Sequence, residues 1–167
     1  GTAPIFRSFK PETTPTRYFP KLSNILAGTS QIGELLPTYS RAMNFRFTVR
    51  DNSILAGGVQ FGQIAFSVSD QAGPFTVSSP NTNITWNPVT PFNVTWNVAN
   101  TNNAPVSCAN VNIKLSTDGG LTWPTTLISN TPNDGSQIVN FPITVTTTAR
   151  VMVEASDNIF FDVSNVN

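Results

Sequence analysis

The sequence predicts an all-β protein built from immunoglobulin-like β-sandwich domains. Thr, Asn, Ser, Val and Pro dominate the composition, whereas the residues that favour helices are sparse. Apolar and polar residues alternate over short runs, and Pro, Gly, Asn and Asp separate these runs. Both features are typical of short antiparallel strands joined by turns. The length of 167 residues exceeds the roughly 100–150 that one core usually serves, so we expect two domains.

The first domain is predicted to span residues 1–72, where the regular elements are few. Leu22–Ala27 is expected to form a short helix that ends at a glycine cap, Gly28. The clear strands are Asn44–Arg50 and Gln63–Ser69, which we expect to pair as a hairpin. Two strands are few for a sandwich of about 100 residues, so this domain is predicted to be incomplete. An incomplete sandwich leaves an apolar face or an edge exposed unless a neighbour covers it.

The turn of this hairpin is expected to use Gly57 and Gly58. Glycine adopts positive φ angles at no steric cost, and a tight hairpin turn often needs them.

The second domain is predicted to span residues 73–167 and to be a complete sandwich. Trp96 should lie in its core, and Val151 and Val153 should point inward because they alternate with polar neighbours. The spacing of seven short strands in under 100 residues fits an immunoglobulin-type fold. The predicted strands are Phe75–Ser78, Phe92–Val98, Asn112–Ser116, Thr126–Ile128, Gln137–Phe141, Arg150–Glu154 and Phe160–Val163.

The two predicted domains share a weak similarity in sequence. Phe45–Asn52 and Val151–Asn158 both run as an alternating strand into an Asp-Asn turn. An aromatic, β-rich last strand is predicted to follow each of them. This similarity favours two domains of similar kind.

Charge and composition exclude several functional classes. Only 11% of the residues are charged, against about 25% in an average soluble domain, which suits a secreted or cell-surface protein. Nine basic residues balance nine acidic ones, so no net field recruits nucleic acid or an anionic membrane. No apolar run approaches the roughly 20 residues of a membrane helix, and no signal peptide opens the chain, which we expect to be mature or excised. We therefore predict no nucleic-acid partner and no membrane insertion.

Cysteine and histidine chemistry is equally restricted. Cys108 is the single cysteine and the chain has no histidine, which rules out a disulfide within the chain and a thiolate zinc cluster. A lone thiol is more often a small buried apolar group than a nucleophile. We predict no catalytic residue and no bound cofactor in this chain.

The sharpest local motif is an Asp box, S-x-D-x-G-x-T-W, which resembles the hairpin turns of sialidase propellers. Its carboxylate can accept hydrogen bonds from turn amides, its glycine can take a left-handed conformation, and its tryptophan can cover the turn. We interpret it as a folding device, since a propeller needs the box repeated over several blades. The residues of this structural turn are Ser116, Asp118, Gly120, Thr122 and Trp123.

Two further site hypotheses remain open. Asp51 and Asp157 each precede an asparagine and could offer oxygen ligands to calcium, although Asx side chains also cap turns by themselves. Trp86 lies in a predicted loop, where an exposed ring could stack on a sugar.

Six runs together resemble the region downstream of the catalytic domain in secreted reprolysin-like zinc metallopeptidases of Bacteroidetes. They span nearly the whole chain and comprise Phe6–Phe9, Pro15–Pro20, Asn44–Asn52, Ala104–Val111, Thr131–Gly135 and Asn158–Asp162. The resemblance implies immunoglobulin-like modules behind a zinc domain with an H-E-x-x-H helix. With no histidine here, no zinc ligand carries over, so zinc is expected only in a catalytic domain outside this sequence.

We expect a non-catalytic accessory region that spaces, stabilises or targets a secreted bacterial metallopeptidase. Its expected partners are the upstream peptidase domain of the same polypeptide, a polymeric protein or carbohydrate substrate, or the cell surface. A stand-alone adhesin-like module is the alternative. A glycosidase fragment is a third, which the single Asp box and the missing histidine disfavour.

Overall fold

The computed structural model describes residues 5–10 and 14–167, and its regular structure is almost entirely β. The all-β class is therefore confirmed. Helix α1 ends as predicted, because Gly28 takes a φ of 61° and its N–H bonds to the Ile25 carbonyl oxygen at 3.1 Å. In the described part of the chain the elements are α1 (Leu22–Ala27), β1 (Arg41–Arg50), β2 (Val59–Val68), β3 (Thr76–Ser79), β4 (Phe92–Asn97), β5 (Asn110–Ser116), β6 (Thr125–Pro132), β7 (Ser136–Val139), β8 (Arg150–Ala155) and β9 (Phe161–Val163).

The chain divides into two compact units. The described residues up to Leu36 group with Gln71–Asn167, and Pro37–Asp70 forms the other unit. This division differs from the predicted one at residue 72. The physical reason is that the segment before the hairpin packs on the sandwich, while the hairpin has its own local pairing.

The first unit contains a two-layer antiparallel sandwich. One sheet has the order β3-β4-β7 and the other the order β6-β5-β8-β9. The seven predicted strands are present, with boundaries shifted by a few residues. Strand β6 pairs with β5, whereas the constant-type immunoglobulin arrangement places its fourth strand in the opposite sheet.

The core lies between these sheets and follows the predicted alternation. Val151 and Val153 are fully buried, as expected, and Trp96 is buried among them. The Trp96 indole N–H donates to the Asn133 side-chain oxygen at 2.9 Å, and the Asn133 amide donates in turn to the Cys108 carbonyl oxygen at 3.1 Å. A buried indole N–H without an acceptor would lose about 1–3 kcal/mol, so Asn133 makes this large core residue compatible with burial.

The segment before the hairpin lies over the outer face of the second sheet. Met152 alternates with the core valines, points away from the core, and is nevertheless only 2% exposed. Nearby, Arg150 donates from Nη1 to the Leu26 carbonyl oxygen at 3.2 Å, and the Tyr18 and Phe161 rings meet edge to face at 5.4 Å. Residues 18–26 therefore form a partial third layer.

This segment is held together by a partly buried ion pair. Glu34 is buried and accepts from Arg17 Nη2 at 2.7 Å and from the Lys21 backbone N–H at 2.9 Å. The Arg17 guanidinium also lies 3.7 Å from the centre of the Phe9 ring and 4.4 Å from that of Phe19. The charge of Glu34 is thus paired and hydrogen-bonded, as burial requires.

The second unit is the predicted hairpin of β1 and β2. Their antiparallel register runs without interruption from Arg41 opposite Val68 to Arg50 opposite Val59. Alternate residues of the two strands share one surface, here called the apolar face. Its apolar members are Met43, Phe45, Phe47, Val49, Ile64, Phe66 and Val68, and Arg41, Gln60 and Gly62 lie on the same side.

The expectation for the hairpin turn was wrong in its detail. The positive φ in this turn belongs to Asn52, at 53°, and neither Gly57 nor Gly58 is in that region. Gly58 instead lies against the Asp51 carboxylate, and a Cβ there would approach Asp51 Oδ2 to 2.9 Å. A larger residue at 58 would have to displace the Asp51 carboxylate, so the role of this glycine is to leave space rather than to supply a left-handed backbone.

Candidate functional site

The Asp box forms a tight hydrogen-bonded turn between β5 and β6. Asp118 Oδ1 accepts from the backbone N–H groups of Leu121 and Thr122, both at 3.0 Å. Its Oδ2 accepts from the Thr122 hydroxyl at 2.6 Å. The Ser116 hydroxyl donates to Asp118 Oδ1 at 2.6 Å and accepts from the Gly120 N–H at 2.8 Å. One carboxylate and one hydroxyl thus accept the backbone N–H groups of Gly120, Leu121 and Thr122.

Gly120 and Trp123 complete this turn. Gly120 has a φ of 95°, and a Cβ there would meet Leu26 Cδ2 at 2.5 Å and Trp123 Cζ2 at 3.4 Å. The glycine is therefore required both by its conformation and by the side chains packed over it. Trp123 lies over the turn, in the place that the sequence pattern assigns to it.

The carboxyl of Asp118 is fixed in its ionised form. Hydrogen bonds from the Ser116 and Thr122 side chains, followed by the turn amides, hold the pKa of Asp118 well below its usual range. A general acid needs a raised pKa near the working pH, so this carboxyl is suited to anchoring a turn and not to proton transfer.

A second loop is tied to the Asp box. The hydroxyls of Thr146 and Thr148 donate to the Thr117 carbonyl oxygen at 3.0 and 2.7 Å, and the Gly119 N–H donates to the Thr148 carbonyl oxygen at 2.8 Å. The turn thereby orders the connection from β7 to β8.

Trp86 packs against the core at this end of the sandwich. Its ring stacks on Phe141 with centroids 4.0 Å apart and an interplanar angle of 9°, and it also contacts Phe92. A small cavity of about 40 Å³ lies beside it, between Pro88 and Thr146. One face of the indole is thus covered by protein, and its role as a ligand contact stays a prediction.

The two calcium candidates occupy turns. Asp51 accepts at Oδ1 from the N–H groups of Ser53 and Gly58, both at 3.0 Å, and these bonds hold the pKa of its carboxyl below the usual range. Asp157 lies exposed after β8. Among residues 5–10 and 14–167, no group of three or more acidic, cysteine or histidine residues is placed to hold a metal ion. Calcium at either aspartate stays a prediction.

Cys108 is buried beside the loop that holds Asn133. Its Sγ donates to the Asn110 carbonyl oxygen at 3.2 Å, and burial, followed by the neighbouring Asp157, raises the pKa of the thiol. A raised pKa disfavours the nucleophilic thiolate.

The hairpin carries an exposed apolar surface. The sequence predicted such a surface in the first domain without identifying its residues. Phe47 is 60% exposed and Ile64 is 54% exposed, and both belong to the apolar face. Ile54 and Leu55 are exposed at the turn. A two-stranded sheet ordinarily has such a face covered, so these residues form a candidate interaction surface. The small number of strands in the first domain predicted an exposed apolar face or edge, but only the register of β1 and β2 identifies the residues on that face.

No helix in the described part of the chain is long and apolar enough to cross a membrane. No family model, curated protein or solved structure matches this chain.

Proposed function

We propose that this chain is a non-catalytic accessory β-sandwich region of a secreted bacterial zinc metallopeptidase. Its role is to space and stabilise the peptidase domain or to hold the enzyme on a polymeric substrate or the cell surface. The observation that carries this proposal is that the chain contains both a β-sandwich and a hairpin with exposed apolar side chains such as Phe47 and Ile64. Such a molecule offers a rigid support and a surface for contact.

The polar motifs of the sandwich support a structural role. Asp118, Asn133 and Glu34 direct their oxygens at turn amides, an indole N–H and an arginine of the same chain. The Asp box, which resembles a motif of sialidases, is thus used for folding. The depressed pKa of Asp118 also argues against a glycosidase that would employ this carboxyl as an acid.

The resemblance to reprolysin-like metallopeptidases supplies the rest of the proposal. In it, zinc belongs to a domain upstream in the same polypeptide, and that peptidase domain is the principal partner of this chain. Recognition rests on surface contacts rather than on a bound cofactor.

Two measurements test this proposal, namely the sequence of the upstream reading frame and the effect of deleting this region from the full product. The reading frame should continue upstream into an H-E-x-x-H helix, and deleting residues 1–167 from the full product should reduce secretion, stability or attachment to protein substrate. Peptidase activity on a small soluble peptide should survive the deletion once the remaining protein is shown to be folded. A frame without a zinc-binding helix would overturn the proposal in favour of a stand-alone adhesin-like module.

A further inference from the structure

Strand β2 presents an unprotected edge. None of its ten residues, Val59–Val68, is charged or proline, and its register with β1 has no bulge. In the part of the chain that the structure describes, no third strand pairs with this hairpin. Natural edge strands normally carry a lysine, a proline or a bulge that prevents pairing with another chain. The edge of β2 lacks all three.

Strand β1 differs from β2 in charge. It carries Arg41, Arg46 and Arg50 and no acidic residue. If two copies paired through β1 about an axis at Arg46 or Thr48, arginines would lie directly opposite one another, which is unfavourable. The charge distribution therefore favours β2 as the strand that accepts a partner and leaves β1 as the protected edge.

The backbone groups that β2 offers follow from its pairing with β1. The Asp51 N–H donates to the Gly58 carbonyl oxygen at 3.3 Å, so these residues form a hydrogen-bonded pair at the end of the ladder. Because such pairs alternate along an antiparallel ladder, the even-numbered residues of β2 bond to β1. The N–H and C=O groups of Phe61, Gln63, Ala65 and Ser67 therefore point to the open edge.

We propose that β2 pairs with β2 of a second copy of this chain, antiparallel and about a two-fold axis at Ile64. The result is a four-stranded sheet with β1 at both outer edges. Phe61 then lies opposite Ser67 and Gln63 opposite Ala65 as hydrogen-bonded pairs, which gives about eight new backbone hydrogen bonds. A two-stranded hairpin is marginal in water, and four strands remove that weakness.

The side chains fit this register. Ile64 meets its own copy across the axis, and Phe66 lies opposite Gly62. A Cβ built at Gly62 has no atom within 4 Å, so the space above this glycine can take a ring from the partner. Since β2 carries no charge, no like charges meet along the new ladder.

The arginines of the two copies stay apart. The Arg46 guanidinium is held over the Phe61 ring at 4.5 Å, on the opposite side of the sheet from the apolar face. Three strand spacings separate Arg46 from its copy, about 14 Å at roughly 4.8 Å each. This distance exceeds the Debye length of about 8 Å at physiological salt, so repulsion between them is screened.

The experiment is sedimentation of the purified chain together with three variants. The unmodified chain should approach twice its 18.0 kDa mass as concentration rises. Ile64→Lys places like charges face to face at the axis and should yield monomer. Val49→Lys is the matched control, because Val49 has a similar exposure on the same apolar face but lies on β1. It should still dimerise, and its loss of dimer would show face-to-face association and overturn the proposal.

Ile64→Glu supplies the decisive mixture. Alone it should be monomeric, as Ile64→Lys is, and mixing the two should restore a dimer that contains one copy of each. Circular dichroism of each variant establishes that the sandwich is folded. Monomers in the mixture, a monomeric unmodified chain at high concentration, or open-ended polymers would each overturn the two-fold pairing. None of these results bears on the reading frame that tests the peptidase proposal.

Discussion

Strands β1 and β8 share a sequence pattern but differ in how far their apolar side chains are buried. Each alternates apolar and polar residues and then enters an Asp-Asn turn. In β8 the apolar residues Val151 and Val153 are fully buried, whereas in β1 the corresponding Phe47 is mostly exposed. The difference is the presence of a facing sheet within the same unit, because β8 packs in one core with β4 while the hairpin unit contains a single two-stranded sheet. Alternation of apolar and polar residues is enough to predict a strand, but its apolar side becomes a core only where a second sheet packs on it.

The largest effect expected from this contrast is on stability. Ile113→Ala, in the core, should lower the free energy of unfolding by about 2–5 kcal/mol through lost burial and a cavity. Phe47→Ala should change it by less than about 0.5 kcal/mol, because its side chain has little burial to lose. Urea titration followed by tryptophan fluorescence measures the stability of the sandwich in both variants, since all three tryptophans lie outside the hairpin. Equal losses would contradict the contrast.

The next largest effect concerns the hydrogen bond between Asn133 and the buried Trp96. Asn133→Ala leaves the Trp96 indole N–H without its acceptor and should cost about 1–3 kcal/mol in the same titration. Asn93→Ala is the control, because Asn93 is exposed on the outer face of β4. A cost for Asn133→Ala no larger than the control's would show that the network is dispensable.

A smaller effect compares two glycines with positive φ. Gly120→Ala must both strain the backbone and displace Leu26, so it should cost about 2 kcal/mol or more. Gly28→Ala meets nothing within 4 Å and should cost only about 1 kcal/mol, the penalty for a left-handed alanine. Thermal unfolding of both variants tests whether α1 is packed on the Asp box. Identical shifts would mean that the contact with Leu26 carries no energy.

The smallest expected effect depends on pH and compares two carboxylates that hold turns. The folded-state pKa of Asp118 is depressed, so its ionised form contributes stability above the unfolded pKa of about 4. That contribution is lost as pH falls toward the folded pKa. Asp118→Asn should therefore lower the melting temperature at neutral pH, and the difference should shrink in acid.

Asp51→Asn is the counterpart in the hairpin. The pKa of Asp51 is also depressed, but its bonds close the hairpin turn only. The melting temperature followed by tryptophan fluorescence should stay unchanged at every pH. A drop equal to that of Asp118→Asn would mean that hairpin and sandwich unfold as one unit.

One of the six runs that carry the family resemblance has an identifiable role in folding. Asn133 and Gly135, within the run Thr131–Gly135, hold the side chain and backbone of Trp96. Their pattern could be noticed in the sequence, but its partner lies 37 residues away and could not be read from spacing. The same holds for the contact between Leu26 and Gly120, which only packing of α1 on the second sheet creates.

The sequence by itself determined the all-β class, the seven strands of the sandwich, the end of α1 at Gly28 and the chemistry of the Asp box, because these depend on neighbouring residues and on period-two alternation. Only the tertiary structure decided that residues 18–26 pack against β8 and β9, that β6 joins β5, and that Phe47, Val49 and Ile64 of the hairpin stay exposed. Those outcomes depend on which surfaces meet. An alternating strand has the same sequence whether its apolar side is covered or exposed.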